Sequence, residues 1–319
     1  MPTQVLTEPR ALVHAVDLAH TAVSEIVETT FDDDKLSLTY RGRKLDGSVT
    51  EVTDLLAECL YATLHAKYLE VFDDSAAAEF RPRSERLTAA LGDVFRDRLF
   101  PLTMPVHHAT ETGPVILWHR GLKVHCPPDR LTEVTPAGDR AVLVEHYSAA
   151  VSPGFYYVFG QGALDDVQHY GERTYVSVPD PADIVTLAPV LVTELDRLNT
   201  KYHVKFLTEE STYPRTDTVA IYHDSPQQLN EAVITAVAGT ALATGAVSDY
   251  CLEIGPGIGR AQEPVGRYGR GRSFGQHRSG MLADAIVHTL VTDDDLATTC
   301  LRLAAEYHVD PECLALNRG

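Results

Sequence analysis

Residues 201–223 read KYHVKFLTEESTYPRTDTVAIYH. Two runs rich in β-branched and aromatic residues, 202–207 and 217–222, flank the polar, proline-bearing TEESTYPRT, which is the pattern of a strand pair bridged by a loop. On either side the period changes. Residues 183–200 follow Pro181 and carry Ile184, Leu187, Leu191, Leu195 and Leu198 on one side, and residues 226–239 return to the same spacing, so each predicts a helix. Further upstream, VILWHRGLKVHC (115–126), RAVLVEHYSA (140–149), GFYYVFG (154–160) and RTYVSVP (173–179) are short, rich in Val, Tyr and Phe, and separated by Gly or Pro. These predict strands. The first hundred residues carry helical spacing over 9–29, 49–69 and 84–98, with an alternating piece around Leu36, Leu38 and Tyr40 that fits a short strand or connector. Two more helices are expected over 281–291 and 293–307. The whole order predicts an α+β fold: a helical N-terminal region, 1–100, then a mixed or antiparallel sheet with packed helices over 101–319. The change near residue 100 has no flexible linker, so a single continuous domain is compatible with it.

The composition narrows the function. Of 319 residues 44% are hydrophobic, enough for a sizeable core, and 27 Lys plus Arg stand against 45 Asp plus Glu, a formal net charge of −18. That balance disfavours nucleic acid and anionic membrane surfaces as partners. The start, MPTQVLTEPR, lacks a basic-then-apolar secretory pattern and no apolar run suits a bilayer, so a cytoplasmic location is expected. Five cysteines occur singly and without C-x-x-C, which points to buried thiols rather than a disulfide framework or thiolate zinc site. His107, His108, His119, His125 and His146 follow no metal-ligand spacing, and no metal site is expected.

Cations concentrate in one place, EIGPGIGRAQEPVGRYGRGRSFGQHRSGM, residues 253–281. Arg260, Arg267, Arg270, Arg272 and Arg278 accompany His277 there, and mutual repulsion requires an anion, either the protein's own carboxylates or a phosphorylated or carboxylated substrate. The glycines predict a loop that wraps a ligand. GPGIGR (255–260) misses the dinucleotide fingerprint because its third glycine comes one residue early. GRSFG (271–275) satisfies G-x-S-x-G by letter, yet a nucleophile elbow needs a strand before Ser273 and a helix directly after it, and the sequence suggests neither. H-E-x-x-H, Walker and protein-kinase signatures are absent from the sequence.

On the strand 202–207, a period of two puts His203 and Lys205 on one face. A lysine kept partly buried or beside another cation loses its proton more easily and becomes a general base. The alternative is a lysine snorkelling at a sheet edge. Downstream, Arg215 and Asp217 lie two apart at the mouth of the next strand, with Tyr222 at its far end, suited either to clamping a phosphate or to closing a hairpin as an ordinary pair. Lys123, in GLKVHCPP, would line a site or face water.

KYHVKFLTEESTYPRTDTVAIYH, together with GPGIGRAQEPVGRYGRGRSFGQHRSGMLADAI, resembles the C-terminal signature of the HopA-type effector family, first named from type III secreted effectors. The resemblance covers roughly the last 130 residues: the strand lysine, the proline-arginine-x-aspartate step, and Ser273-Phe274-Gly275-x-His277-Arg278. Relatives in actinobacterial clusters for modified peptides resemble lyase partners of a separate kinase in lanthipeptide-type dehydration, and the Ala, Asp and Arg usage here is similar to actinobacterial proteins. The resemblance implies a phosphoserine/phosphothreonine lyase acting on a kinase-phosphorylated precursor peptide, with that kinase and a cyclase as partners. It implies Lys205 as base, His277 or His203 as acid, Arg215, Arg260 and Arg278 on the phosphate with Lys123, Asp217 and Tyr222 near them, and Arg267, Arg270 and Arg272 as a peptide-holding lid. No organic cofactor is needed. A non-catalytic phosphopeptide-binding or kinase-scaffolding protein, and a host-directed effector, are the alternatives.

Overall fold

The computed structural model describes residues 13–68, 84–109, 115–119, 121–134, 138–161, 163, 170–243 and 245–318. The chain starts with helix α1 (His14–Ser24), which buries Ala15, Val16, Ala19 and Ala22. Helix was expected through residue 29; its first residues lie outside the described ones, and its end comes at Ser24. The β-branched run that follows instead extends as β1 (Ile26–Asp32), which pairs with β2 (Lys35–Tyr40), and β2 pairs with β3 (Arg43–Ser48), in an antiparallel three-stranded sheet. The alternation around Leu36, Leu38 and Tyr40 is the buried face of β2. Helix α2 (Val49–Leu60) starts in a capping box formed by Ser48 and Glu51 and runs directly into a π-helical turn, Tyr61–His65. Such insertions recur at functional sites. Helix α3 (Glu85–Phe95) is capped by Ser84.

Two three-stranded sheets follow: β4 (Leu99–Met104) pairs with β9 (Arg140–Glu145), which pairs with β8 (Leu131–Val134), while β5 (Val106–His108), β6 (Val115–His119) and β7 (Leu122–Cys126) form the other. Met104, Val115, Leu117, Cys126 and Val142 share a small core between them.

The main sheet contains β10 (Tyr147–Ser148), β11 (Phe155–Phe159), β12 (Glu172–Val176), β13 (Tyr202–Leu207), β14 (Val219–His223), β15 (Leu252–Gly255) and β16 (Ile258–Gln262), in the order β10-β11-β13-β14-β12-β16-β15, every pairing antiparallel. The α+β expectation holds. Alternation assigns the faces. Val204, Phe206, Val219 and Ile221 join one core with α4 (Pro181–Asp196) and α5 (Pro226–Thr240). Tyr175, Ala220 and Ala261, on the opposite face, join a second core with Leu56 of α2 and with α7 (Phe274–Thr292) and α8 (Leu296–Glu306). Elements from the two ends of the chain therefore cover the same sheet face. No described helix is long and apolar enough to cross a membrane.

The glycine-rich segment is not a ligand-wrapping loop. It forms β15, β16, a single turn α6 (Gly266–Gly269) and the first two turns of α7, which starts before the expected residue 281. The reason is local: Ser273 caps α7 and Gln276 returns the hydrogen bond, a capping box that outweighs the glycines that follow. Gly275 is required by packing, since a Cβ there would lie 2.2 Å from Cδ2 of His65 and 2.6 Å from Cε2 of Tyr61. The helix after Ser273 that G-x-S-x-G requires is thus present, but α6 and a short connection, not a strand, precede it.

Candidate active site

The cross-strand register builds two adjacent rows on the face that α7 partly covers. One row runs Phe159, His203, Tyr222, Arg173 across β11, β13, β14 and β12; the next runs Tyr157, Lys205, Ala220, Tyr175. Lys205 and His203 do share a face, as their spacing predicts. Lys205 lies in the middle of the sheet rather than at its edge, half-buried, with its Nζ 4.4 Å from the Phe155 ring centroid and 5.7 Å from that of Tyr222. It has no ion-pair or hydrogen-bond partner among the described residues. Burial, followed by the positive charges of Arg173 and Arg215, pulls its pKa below the ordinary lysine value.

Two arginines flank this amine. Arg173 is clamped by Glu263 at 2.5 and 2.7 Å and stacks 4.4 Å from the Tyr222 ring. Arg215 donates from Nε and Nη2 to Asp217 at 2.7 and 2.8 Å, and its Nη2 also reaches the Tyr61 hydroxyl at 3.0 Å. Tyr61 in turn donates to Asp217 at 3.0 Å. Burial works against the Asp217 charge, but Arg215 and the neighbouring cations outweigh it and hold this carboxyl well below the usual range. In both clamps the carboxylate takes Nε and Nη2; Nη1 of Arg173 donates to the Tyr175 hydroxyl at 3.4 Å, and Nη1 of Arg215 has no carboxylate among the described residues. The site thus combines an amine inclined to be neutral with two fixed guanidinium groups.

His203 stacks on Tyr222 at 4.2 Å and meets Tyr170 edge-on at 5.0 Å. Burial and then Lys205 lower its pKa to about 3, so it is a neutral ring at physiological pH and holds no proton to give as an imidazolium. Behind Tyr61, His65 is enclosed by Tyr61, Tyr175, Tyr250 and Phe274, with Nδ1 2.8 Å from the Ser248 hydroxyl, and burial lowers its pKa to about 4.

Several expected site residues are elsewhere. Arg260 pairs with Thr174 in register, which turns it to the opposite face of the sheet from Lys205, and it sits 3.7 Å from Glu172. His277 and Arg278 are enclosed inside α7. Arg278 donates to the carbonyl oxygens of Leu314 at 2.7 Å and Leu316 at 3.3 Å, to Asn317 at 3.1 Å and to Nδ1 of His277 at 2.6 Å. It ties the C-terminal tail to α7. Burial brings Arg278 down to about 10 and, with Arg278 itself next in weight, His277 to about 3. Both side chains are fully buried. Lys123 is exposed on β7, in a different sheet. Arg267 lies along its neighbour Tyr268, donating to the hydroxyl at 2.6 Å, and Arg270 is exposed in the connection that follows. Arg272 lines a cleft of about 540 Å³ between α2, α7 and α8, beside Asp284 and Tyr307. The five arginines of residues 253–281 are dispersed because β16, the connection and α7 point them in different directions.

The family model described as the HopA1 effector protein family matches residues 147–316, more than half of the chain. The chain belongs to this family. The matched span of this HopA1 family member contains Arg173, Lys205, Arg215, Asp217, Tyr222 and Glu263, whereas Tyr61 and His65 lie before it. Among solved structures, an effector protein from Pseudomonas syringae pv. tomato strain DC3000 is similar with a TM-score of 0.51 and 11% identity, over 96% of each chain. At that identity the likeness shows a shared fold. Another effector, from Pseudomonas syringae pv. syringae strain 61, gives a TM-score of 0.49 and 14% identity, again over 96% of each chain. No curated protein matches.

Sequence reasoning missed Arg173, Glu263, Tyr175 and Tyr61. Arg173 opens RTYVSVP, and its period-two relation to Tyr175 was visible; the register that sets it against Tyr222 was not. Tyr61 carried no signal at all, since a π-turn is not encoded in an apolar stripe and its partners are Arg215 and Asp217, more than 150 residues away.

Proposed function

We propose that the protein is a phosphoserine/phosphothreonine lyase, which removes phosphate from a kinase-phosphorylated precursor peptide to leave dehydroalanine or dehydrobutyrine. The observation that carries the reading is the half-buried Lys205, without a carboxylate partner among the described residues, beside two guanidinium groups whose own carboxylates are already engaged. Guanidinium groups held in place by their own carboxylates suit the oxygens of a compact, multiply charged anion. The neutral Nζ takes the α-proton; the released electron pair forms the Cα–Cβ double bond, and the Cβ–O bond breaks with the phosphate leaving on its oxygen. Arg173 and Arg215 stabilise the charge that grows on the departing oxygens. The arginines are fixed beforehand by Glu263, Asp217 and Tyr61, so little reorganisation is needed when the charge develops.

A separate kinase would supply the phosphopeptide and a cyclase would consume the alkene. We place this reaction in the cytoplasm, where ATP is available to such a kinase. The test is mass spectrometry of phosphoserine and phosphothreonine peptides incubated with the purified protein and with Lys205→Ala. Loss of phosphoric acid by the native protein alone is expected. Return of a free hydroxyl would indicate a phosphatase, and tight binding without any elimination would make the protein a phosphopeptide-binding scaffold.

A further inference from the structure

The described residues cover the main sheet unevenly, and the less covered part adjoins Lys205. Over β12 the face is largely covered: α7 and the π-turn press Phe274 and His65 onto Tyr175 at ring separations of 6.2 and 5.3 Å, while Tyr222 of β14, in register with Arg173, stays half-exposed. Over β11 the cover by the described residues is only partial. There Tyr156 and Val158 are buried on the far side, while Phe155, Tyr157 and Phe159 are half-exposed on the side of Lys205. Tyr157 and Phe159 stack at 6.2 Å, and each lies about the same distance from His203, 6.0 and 6.1 Å. The Tyr157 hydroxyl is 3.1 Å from that of Ser152. The next position outward, paired with Tyr157 on β10, is Ser148. No Asp, Glu, Lys or Arg other than Lys205 faces this ledge among the described residues of β10, β11 and β13.

We propose that the ledge of Phe155, Tyr157 and Phe159 receives an uncharged, apolar segment of polypeptide directly next to the phosphorylated residue, an inference that rests on the lyase reading of Lys205. The ledge is continuous with the cationic site through the Lys205–Phe155 contact, so a residue whose phosphate reaches the arginines must pass its neighbours over these rings. Rings so placed gain from burying apolar or proline side chains and offer nothing to a carboxylate, while the acidic chain as a whole repels one. The site would therefore act on phosphorylated residues in apolar surroundings and discriminate against those flanked by Asp or Glu.

Two phosphothreonine peptides, identical except for Leu, Val and Pro or for Asp on both sides of the phosphorylated residue, test this. Binding is read by fluorescence anisotropy on Lys205→Ala, which leaves the peptide unprocessed, and elimination by mass spectrometry on the native protein. The apolar peptide should bind about tenfold more tightly, a difference expected of an aromatic subsite. Tyr157→Ser and Phe159→Ser should each reduce that preference to below about threefold and raise KM with little change in kcat. Should the serine variants melt at markedly lower temperature, Tyr157→Gln, which keeps length without the ring, takes their place. Equal affinity for the two peptides, a preference that survives loss of the ring, or binding of neither peptide overturns the proposal. An apolar preference in binding without elimination sinks the lyase reading and leaves the ledge standing as a peptide-binding surface.

Discussion

Lys205 and His203 are two residues apart on one strand, and the structure separates their chemistry. Both lose protons easily for the same first reason, burial; in the proposed reaction this suits lysine to act as the base and unsuits histidine as the acid. Lys205→Ala should reduce elimination by on the order of 10² to 10⁴, the usual contribution of a general base, with phosphopeptide affinity largely kept. In the native protein the rate should rise with pH and level off below the ordinary lysine value of about 10.4, because the lowered pKa frees the amine earlier. His203→Phe keeps a flat ring between Phe159 and Tyr222, and is expected to hold activity within about tenfold; a larger loss, with the acid limb of the pH profile altered, would assign His203 a proton-transfer role. Arg278, which the sequence presents as a phosphate ligand, is instead the anchor of the C-terminal tail. Arg278→Ala should cost about 1–3 kcal/mol for each carbonyl it leaves unpaired, seen as a lower denaturant midpoint.

At the level of elements, the site depends on how closely α7 approaches the π-turn. Gly275 is the point of contact, and Gly275→Ala should push the two apart at a cost of about 1–3 kcal/mol, measurable by urea unfolding. Because Tyr61 belongs to the π-turn and bridges Arg215 and Asp217, the same substitution should weaken phosphopeptide binding although residue 275 contacts no substrate. Helices and strands of this kind were largely legible from period alone: Ile184 to Leu198, Leu36 to Tyr40, and the strand pair around Tyr202 and Val219 each write one face in apolar residues. The exceptions are informative. Residues 26–29 end a stretch that reads as helix, yet pairing with β2 recruits them into a sheet. The glycines of residues 253–281 suggest a loop, yet a capping box and the demand for close packing make the second half a helix.

For the whole molecule, burial of neutral histidines sets the response to acid. His65 and His223 are held at about 4, and His203 and His277 at about 3, chiefly by burial. In the unfolded chain each would take a proton near pH 6.5, so between there and pH 3 to 4 the unfolded state binds more protons and stability falls as the pH drops. Asp217, held low by Arg215, adds a contribution that is present above about pH 4 and lost below it. Guanidinium midpoints at pH 7.5, 5.5 and 4.5 should decline in that order, and His277→Phe should flatten the decline. An unchanged midpoint down to pH 4.5 would mean that these rings are charged or solvated in the fold.

The fold class, the strand that carries Lys205, the shared face of Lys205 and His203, and the Arg215–Asp217 step can be read along the chain, because all of these are properties of sequence neighbours and of periods of two or of about four residues. Which cations meet depends on the packing of distant segments. Arg173 reaches the site through the register of β12 on β14, Glu263 through the end of β16, and Tyr61 through the packing of α7 on the π-turn. Arg260 and Arg278 leave it because a strand turns alternate residues to opposite faces and a helix encloses one side. Those outcomes depend on contacts between residues tens to hundreds of positions apart, and local periodicity does not encode them.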